Sequence, residues 1–179
     1  MTTSAHPHHA TPMEISVSNQ QQAHAIDEAA VLSAVRAVME DAPFTTGSIS
    51  VAIVDDRTIH DLNRRYLNHD WPTDVLSFVL DRTEDELTGE IIASADTAFN
   101  QAPEYGWRPA EELLLYVIHG ALHLVGYDDQ STDEARSMRL AETRYLARLG
   151  IERAAPQREF EELGHNSHPA SELGGINRP

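Results

Sequence analysis

The chain has 179 residues, enough for one domain with a substantial core and too few for two comfortable ones. The absence of cysteine excludes disulfides, iron-sulfur clusters and thiolate zinc sites, leaving histidine, carboxylate and backbone oxygen as metal donors. A net charge of -16, from 29 acids against 13 arginines and no lysine, argues against a broad basic face for a polyanion, although a metal and local charge can override the net field.

The amino terminus, MTTSAHPHHATP, carries neither a positive patch nor an apolar run, and no stretch of about eighteen apolar residues follows. A soluble, cytoplasmic chain without membrane contact is the expectation. Residues 1–12 and 151–179 lack periodicity and read as disordered tails around a domain at 13–150. His6, His8 and His9 fall in the first tail, where clustered histidines are usually incidental.

Within the domain, EISVS at 14–18 predicts a short strand. Glu28, Leu32, Val35 and Met39 then fall at helical spacing in a segment that stops before Pro43. SISVAIV at 48–54 places Ile49, Val51 and Ile53 on one strand face. A short helix carrying Ile59, Leu62 and Tyr66 follows. VLSFVL at 75–80 and GEIIAS at 89–94 predict a hairpin across the acidic loop DRTEDELT. Pro109 at a first-turn position, with Glu111 and Glu112 behind it, opens a long apolar helix that Gly126 ends. Ser131 and Glu134 form a capping box for a last helix whose Met138, Ala141, Tyr145 and Leu149 share a face before Gly150. The expectation is an α+β fold: a mixed sheet of about four strands packed with about five helices, with a metal site on a central helix.

That central helix, about 110–125, has one polar stripe. At 100° per residue Glu112, Tyr116, His119 and His123 lie within about 60° of one another. A histidine pair four apart is more often two satisfied histidines than a metal site. Gly126, seven after His119, reverses the chain so that Asp129, ten after it, returns toward the pair. These offsets match the frame of the metzincin motif HExxHxxGxxH, with Gly120 in place of the general-base glutamate and Asp129 in place of the third histidine. Carboxylate is a legitimate zinc ligand, and it leaves the bound metal a weaker Lewis acid than imidazole would. Equally, Asp129 fits a solvated turn residue beside Asp128. In the segment Asp61 to Phe78, the turn at Pro72 delivers Thr73, Asp74 and Ser77 toward a strand entry where cleft residues often sit. The plainer reading, which the physics of turns favours, is that Thr73 and Asp74 satisfy backbone donors within that turn.

LNRRYLNHDWPTDVLSF, TGEIIAS and HGALHLVGYDD, in this order, resemble the YbeY family of bacterial endoribonucleases, whose marks are LNxxYRxxDxPTDVLSFP, a strand beginning Gly-Asp-Ile or similar, and HGxLHLxGYDH. The likeness covers residues 13–150. It implies a zinc-dependent, single-strand-specific endoribonuclease acting in 3′-end maturation of 16S ribosomal RNA and in ribosome quality control, with small-subunit ribosomal proteins as partners. Carried over by position, His119, His123 and Asp129 would hold one zinc ion per chain, and the catalytic base stays unassigned. Leu67 replaces a family arginine held important for activity, and Val79 a common proline. Arg65 would compensate if it turned inward; Arg64 and Arg65 otherwise read as surface residues. Leu67, Asp129 and the acidic balance keep open a ribosome-associated assembly or binding factor with weakened catalysis. A zinc peptidase is opposed by Gly120.

Overall fold

The computed structural model of the chain describes residues 12–67, 70, 71 and 73–152. In chain order these form β1 (Glu14–Asn19), α1 (Glu28–Met39), β2 (Thr46–Val54), α2 (Asp56–Leu67), β3 (Val75–Arg82), β4 (Glu86–Ser94), α3 (Ala95–Gln101), a 3₁₀ turn (Ala102–Tyr105), α4 (Pro109–Leu124) and α5 (Thr132–Arg148). Five α-helices and a four-stranded mixed sheet among the described residues give the expected α+β architecture. His6, His8 and His9 and most of both expected tails lie outside the described residues. At their inner boundaries Pro12 bridges to Thr46 and Ile151 is buried. No helix among the described residues is long and apolar enough to cross a membrane.

The sheet runs β1-β2-β4-β3, with β1, β2 and β4 parallel and β3 returning antiparallel on β4. Period-2 alternation divides its side chains between two layers. Ile49, Val51 and Ile53, with Val75, Ile91 and Ala93, enter the main core with α1, α4 and α5. Val54, Leu76 and Ile92 meet Ile59 of α2 in a smaller core on the other face. The helix α4 lies at the centre of the larger layer, touching α1, α3, α5, β3 and β4. Thirteen of its sixteen residues are buried, as a helix apolar on nearly every side requires.

Local chemistry sets the ends of these elements. Asp27 caps α1 by accepting from the Ala30 N–H at 3.0 Å, and Ser94 caps α3 through Thr97 N–H at 3.1 Å. At α5 the capping box is complete: Glu134 N–H donates to Ser131 Oγ at 3.3 Å, and Ser131 N–H to Glu134 Oε2 at 2.9 Å. The C-terminus of α4 closes in a Schellman turn, where Tyr127 N–H donates to Leu122 O and Gly126 N–H to His123 O, both at 3.0 Å. Gly126 supplies the positive φ of 102° this turn needs.

The structure corrects one expectation and refines two. The acidic segment 81–88 is mostly strand, because Leu87 is fully buried and pairs with Gly47 while Glu86 pairs with Thr46, leaving Thr83, Glu84 and Asp85 as the turn. On α2 the inward stripe is Ile59, Leu62 and Asn63; Tyr66 is 55% exposed, its ring meeting the edge of Phe78 at 6.0 Å. On α1 Leu32 is half-buried, and Val31, Ala34, Val35 and Val38 face the core more fully.

Candidate metal centre

The helical repeat stacks His119 and His123 one turn apart on α4, both buried, with ring centroids 4.5 Å apart. Burial would be costly for two imidazoles without polar partners, and each ring has one behind it. His123 Nδ1 donates to Tyr127 O at 3.0 Å, a carbonyl that the Gly126 turn swings back toward the helix. His119 Nδ1 lies 2.7 Å from Oε1 of Glu142 on α5. A carbonyl and a carboxylate both accept, so the protons sit on the two Nδ1 atoms and both Nε2 lone pairs turn into the same gap. There the two Nε2 atoms stand 3.0 Å apart. Two facing lone pairs at that distance repel unless something electrophilic lies between them.

Asp129 completes the group. Its Oδ2 is 3.7 Å from His119 Nε2 and its Oδ1 4.0 Å from His123 Nε2. One donor atom from each of the three residues lies within 4.8 Å of the others, so the group could hold a metal ion. Asp128 and Asp129, indistinguishable as turn residues in the sequence, have different positions. Asp128 Oδ1 takes the turn's N–H, that of Asp129, at 2.8 Å, whereas the Asp129 carboxylate is 22% exposed and faces the imidazoles.

The turn into β3 is also polar. Asp74 Oδ1 accepts from Val75 N–H at 2.8 Å and from Thr73 Oγ at 3.1 Å, the self-satisfying arrangement anticipated as the plainer possibility. Its backbone carbonyl accepts from Ser94 N–H at 2.8 Å, which fixes the turn to the end of β4. Burial pushes the Asp74 carboxyl above the usual carboxylate range, opposed by the nearby His119 and by these two hydrogen bonds. Tyr116, on the same polar stripe of α4, donates to Gln101 Oε1 at 3.2 Å, and burial together with Asp74 pushes its phenol up. Thr73 is buried, while Ser77, half-buried, stands opposite Ile91 in the β3–β4 ladder. Arg65 is exposed with its guanidinium 5.6 Å from the Tyr66 ring centroid, and Arg64 pairs with Asp61 at 3.0 Å; neither turns inward. The Leu67 side chain lies outside the described residues.

Two partners of the centre escaped the sequence. Glu142 is fully buried, yet in sequence a helical glutamate reads as solvated. The available signal was its place four after Met138 and three before Tyr145, on the face already assigned to the core. The Tyr127 carbonyl carries no side-chain signal. Gly120 has a structural explanation: a Cβ there would lie 3.0 Å from Ile91 Cγ2 and 3.1 Å from Val75 Cγ2. The position faces the sheet, so α4 packs too closely for the glutamate of a zinc peptidase.

The family model described as Endoribonuclease YbeY matches residues 16–150. A protein of Rhodopirellula baltica named Endoribonuclease YbeY is 49% identical over 108 residues, which span 59% of this chain and 56% of that protein. One of Moorella thermoacetica with the same name is 39% identical over 157 residues, covering 79% of this chain and all of the relative. A Thermotoga maritima protein solved in solution superposes with a TM-score of 0.50 at 22% identity, over 82% of this chain and 99% of that one, a likeness of fold alone. With the family pattern extending through both histidines and the Asp129 turn, the chain belongs to the YbeY endoribonuclease family.

Proposed function

We propose that this protein is a zinc-dependent, single-strand-specific endoribonuclease that matures the 3′ end of 16S ribosomal RNA and serves ribosome quality control. Ribosomal RNA is its substrate, small-subunit ribosomal proteins are its partners, and the cytoplasm is the compartment this role requires. The observation that carries the proposal is the convergence of His119, His123 and Asp129, each imidazole already fastened through Nδ1. Two nitrogens bound to zinc at roughly 2.0–2.1 Å in a tetrahedron stand about 3.3 Å apart. The separations of 3.0, 3.7 and 4.0 Å bracket that value.

In this assignment three protein donors hold zinc and leave a coordination position for water or a phosphate oxygen, the Lewis-acid chemistry that hydrolyses phosphodiesters. Glu142 and the Tyr127 carbonyl keep the imidazoles aimed. Asp129, a carboxylate at the partly exposed side of the group, marks where substrate enters. Thr73 and Asp74 line the adjoining turn, where burial raises the Asp74 carboxyl above its ordinary range.

Cleavage of single-stranded RNA by the zinc-loaded protein tests the proposal, with His119→Ala and Leu67→Arg alongside. Cleavage by the wild type, lost in His119→Ala and maintained or raised in Leu67→Arg, is the expected outcome. Zinc binding without cleavage would leave an assembly or binding factor, and equal cleavage in His119→Ala would trace the activity to a contaminant.

A further inference from the structure

From the way α5 meets α4, we infer that Glu142 is a positioning residue for the metal centre: its carboxylate fixes the His119 tautomer and supplies the second negative charge that balances a divalent ion. The inference rests on the metal reading above and adds a role for a residue outside the donor group.

Three observations carry it. Glu142 has no exposed surface, and its Oε1 lies 2.7 Å from His119 Nδ1. Its Oε2 has no hydrogen-bond partner, although it is equally buried. A glutamate kept for the packing of α5 alone would be a poor choice at this position. Its neighbours on the stripe, Met138, Ala141 and Tyr145, bury without such a cost, whereas a carboxylate satisfied at one oxygen is expensive in a low-dielectric layer.

The expense makes sense if positive charge lies on the far side of the imidazole. Asp129 contributes one negative charge next to the gap and Glu142 another through His119. Together they equal the charge of one divalent cation. A ligating histidine backed by a carboxylate is the more basic donor, and its tautomer is fixed because the carboxylate accepts from Nδ1. His123, backed by the neutral Tyr127 carbonyl, gains orientation without charge. The two imidazoles are therefore unequal ligands, His119 the stronger. With Asp129 replacing an imidazole, the centre carries an additional negative charge in its donors, and Glu142 makes the buried assembly neutral when a divalent ion is bound.

Zinc affinity measured by competition with a chromophoric chelator tests this in wild type, Glu142→Gln and Glu142→Ala. Glutamine keeps the shape and an oxygen that can accept from Nδ1 but removes the charge; alanine removes both. The expected losses are about tenfold for glutamine and about a hundredfold for alanine, the range for removing a partner one bond beyond a metal ligand. Circular dichroism matching wild type accompanies them. Affinity in Glu142→Gln within twofold of wild type would reduce Glu142 to a tether between helices and overturn the inference. If the variants do not fold, nitrogen-15 NMR of the zinc-loaded wild type decides. A His119 protonated on Nδ1 and metallated on Nε2 is expected, and the opposite tautomer overturns the inference. A wild type that binds no zinc overturns the metal reading itself, and this inference with it.

Discussion

Exchanging an imidazole for the Asp129 carboxylate lowers the charge of a metal centre by one unit, which favours retention of the ion and weakens it as a Lewis acid. Asp129→Ala should therefore cost more zinc affinity than the roughly 10–100-fold expected on losing a partner beyond the ligands. Elemental analysis after gel filtration should find about one ion per chain in wild type and none in this variant. Asp129→His should keep the ion and raise the rate of RNA cleavage, measured at saturating zinc. Asp74 gives a stability effect of opposite character. Its folded-state pKa is raised, so the folded protein holds a proton more readily than the unfolded chain. The site then disfavours folding once pH exceeds the unfolded value, 3.8, and the deficit is complete above the folded value. Asp74→Asn keeps an acceptor for Val75 N–H and Thr73 Oγ. In metal-free protein it should raise the melting temperature at neutral pH, with the gain disappearing near pH 3.8. An unchanged melting temperature at pH 7 would contradict this. Asp129 was legible because Gly126 fixes where the chain reverses. Glu142 was harder to read: its place between Met138 and Tyr145 points to the core face, but a glutamate reads as solvated, and only the way α5 meets α4 buries it.

The arrangement of the donors belongs to α4 and its ending. Gly120 gives up helix propensity, about 1 kcal/mol relative to alanine, so that α4 can approach β3 and β4. Gly120→Ala recovers that propensity but drives a methyl against Val75 and Ile91, both fully buried and unable to move outward. Overpacking of about 1–3 kcal/mol wins, so thermal unfolding should occur a few degrees lower. At the other end, Gly126→Ala faces a φ of 102°, while the new Cβ would meet only the Arg82 guanidinium at an ordinary 3.7 Å, so its penalty is in the backbone, about 1–3 kcal/mol. Because this turn aims both the Tyr127 carbonyl and Asp129, zinc affinity should fall along with the melting temperature. Calorimetry and chelator competition on the same samples check both, and a stability loss with unchanged affinity would separate the turn from the centre. The ends of α4 were readable from Pro109 and Gly126, since each has a local steric meaning. The length of the β3–β4 hairpin was not, because its acidic residues are held as strand by pairing of Glu86 and Leu87 with β2, a contact about forty residues distant in sequence.

For the whole molecule, the charge of -16 opposes a polyanionic substrate, and many of the arginines are already engaged. Arg64, Arg108, Arg144 and Arg148 each pair with a carboxylate, and the aromatic faces of Phe44 and Tyr66 hold Arg82 and Arg65. That distribution was legible as a total in the composition but not as a map, since which cations are spent on internal partners depends on the fold. Its consequence concerns how RNA is held. A protein that neutralises Z phosphates of a single strand loses affinity with a log–log salt slope of about -0.7Z. With six of the ten arginines among the described residues so engaged, binding should engage about three phosphates or fewer, giving a slope no steeper than roughly -2. Long-range repulsion between enzyme and RNA, screened over about 10 Å at 0.1 M salt, should flatten the slope further at low ionic strength. Titrations of a fluorescent single-stranded RNA from low to moderate salt, with zinc saturating and the cleavage step blocked by 2′-deoxy substitution, measure it. A slope near -6 would reveal an extended basic track absent from this distribution of arginines. A shallow one would mean that a few polar contacts around His119 and Asp129, rather than the long-range field of the protein, carry recognition of the RNA.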